Sequence, residues 1–133
     1  MSEEKKIKVV LLEPFKLARA MEIDASLKSM QKIVGGLIEP FYPFEEEVCI
    51  VCNDEGKING MPLNRAVYGE DKKMIDIIAG PAFICDCRGE SFDSLSDEQI
   101  ARYKKQFRYP EIFLRDGDEI KAFFVKPDRE NER

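Results

Sequence analysis

The chain predicts an α+β domain, a small antiparallel-rich sheet with two helices packed against it. Apolar runs of strand length recur at 7–12, 48–53 and 82–87, each bounded by charged, Gly or Pro residues. Two stretches instead carry apolar residues three and four apart, near 27–34 and 96–107. At 133 residues there is material for one core and not for two, so residues 1–133 are read as a single domain. Its folded part spans 7–126, and the charged stretches 1–5 and 127–133 are tails.

Taken in order, Ile7–Leu12 reads as a strand, Glu13-Pro14-Phe15-Lys16 as a turn, and 17–23 as the returning strand of a hairpin. Asp24 or Ser26 can cap the helix whose face carries Leu27, Met30 and Val34, and Gly35-Gly36 ends it. Residues 37–44 are strand-like, but Pro40 and Pro43 each lack a ladder donor, which places them at a sheet edge or a bulge. Glu45–Glu47 reads as a solvated loop. Val48–Asn53 is a central strand, followed by a turn at 54–57 where Gly56 is expected at positive φ. Ile58–Arg65 is read as a Gly/Pro loop, Ala66–Tyr68 as extended, Met74–Ala79 as a short strand or irregular segment, and Ala82–Cys87 as a strand. Ser96 opens the best-signalled helix, with Gln99 completing a capping box and Leu95 facing Ile100 as a staple. Ile100, Tyr103 and Phe107 form its buried stripe, and Pro110 is expected to stop it. A closing hairpin joins 112–114 to 120–125 around Gly117.

Composition narrows the chemistry. A formal charge of −5 argues against a general binder of nucleic acid or anionic membrane. No apolar run approaches the roughly 20 residues of a spanning helix. The N-terminus lacks an apolar leader stretch, so the expected location is the cytoplasm, with the cysteines reduced. The chain has no histidine, which removes Ser-His-Asp and Cys-His catalysis and histidine-ligated zinc. No cofactor motif is present.

Cys49, Cys52, Cys85 and Cys87 have a spacing that could hold one zinc. On strands, however, Cys49 and Cys52 face opposite ways while Cys85 and Cys87 share a face, so they read as structural thiols and no metal ligand is assigned. The stretch 102–109 interleaves basic and aromatic residues as single-strand binders do, yet helical spacing accounts for it as an amphipathic surface. The acidic groups at 45–47, 54–55 and 70–71 are too dilute for a mimic of DNA. That leaves the 53–65 stretch as the candidate ligand site, with Asn53, Lys57, Asn59, Asn64 and Arg65. A guanidinium fork suits carboxylate or phosphate, and glycine lets a ligand approach the backbone. The alternative is that Asn64 and Arg65 tie the chain to itself through side-chain-to-backbone bonds.

Several of these stretches resemble a family. Glu13-Pro14, Leu27 through Val34-Gly35-Gly36, Ile38-Glu39, Tyr42-Pro43-Phe44, 52–57, Pro62-Leu63-Asn64-Arg65 and 76–80 look like the domain-of-unknown-function family numbered thirty-eight forty-six, over about residues 7–107. Phe15 stands where the resemblance leads one to expect glycine. The resemblance implies a setting on phages and conjugative elements of Firmicutes, sometimes near antirestriction genes, and carries no catalytic residues. The expected function is a non-enzymatic accessory protein that acts against host defence by binding a host protein or sequestering a small anionic, nucleotide-like ligand. The rivals are a small enzyme using Arg65 with Asp54, Glu55 or Asp76 on a phosphorylated or carboxylated substrate, and a structural or interaction module.

Overall fold

The computed structural model describes residues 5–126. Nine strands and two helices follow in the order β1 (Lys6–Leu12), β2 (Arg19–Asp24), α1 (Leu27–Val34), β3 (Ile38–Phe41), β4 (Val48–Asn53), β5 (Leu63–Tyr68), β6 (Met74–Ala79), β7 (Ala82–Asp86), α2 (Asp97–Gln106), β8 (Glu111–Asp116) and β9 (Glu119–Phe124). Five strands form the main sheet in the order β2-β1-β7-β4-β3, every neighbour antiparallel. β5–β6 and β8–β9 are separate two-stranded sheets.

The main sheet is buried on both sides, which is why its inner strands are continuous apolar runs rather than alternating ones. Val10, Leu12, Val48, Ile50, Ala82 and Ile84 point into one core, closed by Tyr103 and Phe107 of α2 and its C-cap and by Val67 and Ile78 of β5–β6. Ile7, Val9, Leu11, Cys49, Val51, Phe83 and Cys85 point into the other, closed by Met30 and Val34 of α1. The period of two in each strand divides its residues between the cores.

Local chemistry sets the element ends. Ser26, not Asp24, caps α1, accepting from Ser29 N at 3.1 Å. Gly35 ends that helix in the left-handed region, at φ 82°. Leu27 is exposed, so the α1 stripe is narrower than its spacing suggested. The capping box at Ser96 and Gln99 is formed in both directions. α2 ends at Gln106, with Phe107 as its cap, several residues before Pro110. Pro40 lies on the edge strand β3, where a missing donor costs no ladder bond.

Three expectations are corrected. β5 begins at Leu63, so Asn64 and Arg65 stand in a strand and not in a loop. Gly60, at φ 72°, and not Gly56 takes the left-handed conformation. Gly56 is required for space, since a Cβ there would lie 2.6 Å from the Ala79 carbonyl oxygen. Glu46 is no loose loop residue: its carboxylate accepts from Arg102 at 2.7 Å, from Gln99 at 3.3 Å and from the Tyr103 hydroxyl, which clamps the 45–47 loop onto α2.

Candidate functional site

Arg65 is fully buried. Its Nε donates to Phe107 O at 3.0 Å, its Nη2 to Lys16 O at 2.7 Å, and its Nη1 to Asn64 Oδ1 at 2.8 Å and Glu13 O at 3.3 Å. Asn64, also without exposure, donates from Nδ2 to Leu12 O and Gly80 O, both at 2.9 Å. These two side chains tie the β1–β2 turn, the end of α2 and the β6–β7 turn to β5. Burial pulls the guanidinium down to about 10, against the upward pull of Glu111, so it stays charged at neutral pH. Its carboxylate neighbour is Glu111 rather than Asp76. The guanidinium is spent on backbone carbonyls, and its geometry is that of a strut.

The remaining candidates lie elsewhere. Asn53 Nδ2 donates to Val34 O at 3.1 Å and its Oδ1 accepts from Glu55 N at 2.7 Å, an Asx turn that shapes the 54–57 segment. Lys57 is ion-paired with Asp76. Asn53 and Lys57 border a concavity of about 340 Å³ between β3, the 54–57 turn and β6. Asn59 is exposed outside it, and Asn64 and Arg65 are below the surface. Pro40, Phe41, Ile78 and Ala79 supply apolar lining, and Glu39, Asp54, Glu55 and Asp76 supply carboxylates. Four acids against one lysine, itself paired, make this an acidic site with an apolar floor. Sequence reasoning missed Glu39 and its place here, because β3 and β6 meet only through the tertiary fold.

The cysteines divide as their register requires. Cys49 and Cys85 are cross-strand partners with sulfurs 3.9 Å apart, whereas Cys52 lies on the opposite face and donates to Glu39 O at 3.4 Å. Burial pushes the Cys52 thiol up to about 11. All four are free thiols. Among the described residues no group of three or more Cys, Asp or Glu is placed to share a metal ion. A second, more open concavity of about 460 Å³ borders Tyr68, Glu70 and the Glu46–Arg102 clamp. The rings of Tyr103 and Phe107 are buried, so they offer no face on which a base could stack. No helix among the described residues is long and apolar enough to cross a membrane.

The family model described as Domain of unknown function (DUF3846) matches residues 7–108. The chain belongs to this family. The matched DUF3846 region contains both cores, the Arg65 strut and the acidic concavity, and it ends before β8. No curated protein matches the chain, and no solved structure does.

Proposed function

We propose that the chain is a non-enzymatic accessory protein of a phage or mobile element. In this reading it binds a host protein in the host cytoplasm and interferes with defence. The observation that carries the reading is the concavity between β3, the 54–57 turn and β6. It combines an apolar floor with Glu39, Asp54, Glu55 and Asp76. Carboxylate walls attract a lysine or arginine side chain and repel phosphate, which favours a protein partner over a nucleotide-like ligand. The enzyme alternative is weakened by the burial of Arg65, the group it would have used to hold an anionic substrate.

Two titrations followed by thermal denaturation test this. A hexapeptide carrying two arginines between apolar residues should bind and raise the melting temperature. Glu39→Gln combined with Asp54→Asn should weaken that binding. Nucleotides up to about 1 mM, the weak end of specific affinity, should leave the melting temperature unchanged. Stabilisation by a nucleotide with no response to the peptide would overturn the reading. Expression in a host with a defined defence system should raise phage plating, and the double variant should not.

A further inference from the structure

The β8–β9 hairpin lies beyond the region matched by the family and carries much of the exposed apolar surface. Ile112, Leu114 and Phe123 are 46%, 55% and 46% exposed. Ile112 and Phe123 are cross-strand partners, and Leu114 lies beside them on the same face. Gly117-Asp118 closes the hairpin with Gly117 at φ 66°, a two-residue turn of the kind that matches strand twist. In an antiparallel pair, residues alternate between turning their backbone groups toward the partner strand and away from it. The bond from Val125 N to Pro110 O fixes that phase. Glu119, Lys121 and Phe123 therefore face β8 with their backbone groups, and Ile120, Ala122 and Phe124 present theirs to the outer edge, which pairs with no strand among the described residues. No proline and no register shift blunts this edge.

We propose that β9 pairs antiparallel with β9 of a second copy of this chain, about a two-fold axis at Ala122. That register engages the outward groups of Ile120, Ala122 and Phe124 from both copies. It sets Ile120 opposite the partner's Phe124, and Asp118 opposite the partner's Lys126. The edge strand itself is charge-polarised, with Asp118 and Glu119 at its turn end and Lys126 at its open end. An antiparallel two-fold brings each acidic end against a basic one. A register centred one residue earlier would place Lys121 opposite itself, which like-charge repulsion disfavours. Residues 109–126 hold four acidic and three basic side chains. Two copies of an otherwise acidic chain therefore meet here with little net repulsion. Ile112, Leu114 and Phe123 of both copies then form one apolar face on a four-stranded sheet.

Sedimentation velocity on the full chain over about 1–100 µM, a range suited to modest affinity, tests the pairing. The wild type should form a dimer. Ala122→Pro deletes an outward N–H and leaves the ladder to β8 intact, so it should weaken the dimer at least about tenfold. Asp118→Lys should weaken it as well, and adding Lys126→Asp should restore it, a rescue that general destabilisation does not mimic. If Ala122→Pro fails to fold, the charge reversal and its rescue decide alone. A monomer throughout, assembly beyond a dimer, or a charge reversal without effect or without rescue overturns the proposal.

Discussion

At the residue scale, Arg65 and Phe15 are two halves of one arrangement. The carbonyls of Glu13 and Lys16, on either side of the β1–β2 turn, converge on the Arg65 guanidinium. Between them Phe15 sits in the left-handed region at φ 69° and is 70% exposed. Replacing Arg65 with alanine takes this donor from the carbonyls of Lys16 and Phe107, while that of Glu13 keeps its bond from Lys16 N at 3.3 Å. Denaturant unfolding should show a loss of roughly 1–3 kcal/mol, the cost of unpaired buried polar groups. A change within about 0.5 kcal/mol, the range of an ordinary surface substitution, would mean that the guanidinium is not the tie. Lysine cannot replace the fork, because one ammonium cannot reach carbonyls on several sides. Phe15 is the opposite case. A non-glycine residue in the left-handed region costs roughly 1–2 kcal/mol, partly offset by the greater freedom of glycine when unfolded. Phe15→Gly should therefore raise stability by about 0.5–1 kcal/mol, read as a higher denaturation midpoint at unchanged slope. A lower midpoint would show that contacts of the ring outweigh the strain.

At the element scale, local signals were readable and long-range ones were not. The capping box of α2, the glycine end of α1 and the Gly117 turn each depend on residues within a few positions of one another. Their chemistry is therefore written along the chain. Val48–Asn53 was legible as an inner strand because burial on both faces leaves no room for polar alternation. Asn64 and Arg65 looked like loop residues because they are polar and follow a proline. The backbone carbonyls that satisfy them, on Leu12, Glu13, Lys16, Gly80 and Phe107, lie 16–52 residues away in sequence, and no local period reports them. Glu111 is hidden in the same way. It begins β8 and accepts from Ala66 N at 3.0 Å, anchoring the last hairpin to β5. Burial raises its carboxyl above the ordinary 4.5, opposed by that N–H and by Arg65. The folded state thus holds the proton more tightly than the unfolded one. The group's contribution is present in full below the unfolded value and is lost as pH rises through the raised one. Glu111→Gln should therefore gain stability relative to the wild type between about pH 4 and pH 7, across and above the carboxylate range. Thermal melts of both proteins across that range check the sign. If the wild type gained instead, attraction to Arg65 would outweigh burial.

At the scale of the whole molecule, the fold divides into a closed body and an open appendage. Every buried residue of both cores lies between Ile7 and Phe107, and the family match covers 7–108. Phe107, whose carbonyl receives Arg65 Nε, falls inside that stretch as well. The hairpin was legible from its turn, but its exposure was not, because periodicity does not say what covers a face. A chain ending at Arg108 should accordingly keep its cooperative unfolding, because both cores and all the carbonyls that hold Arg65 remain. It loses the Glu111 bond to Ala66 and the hairpin's cover over β5 and β6, where Ile120 stands beside Leu63, Met74 and Ile75. Stability should fall by about 1–3 kcal/mol, the scale of a charged hydrogen bond removed from a buried donor. The shortened protein should also stay monomeric at concentrations where the full chain pairs through β9. Circular dichroism melts and sedimentation of the two lengths side by side separate these effects. Loss of cooperative unfolding in the shorter chain would place the hairpin within the folding unit rather than upon it.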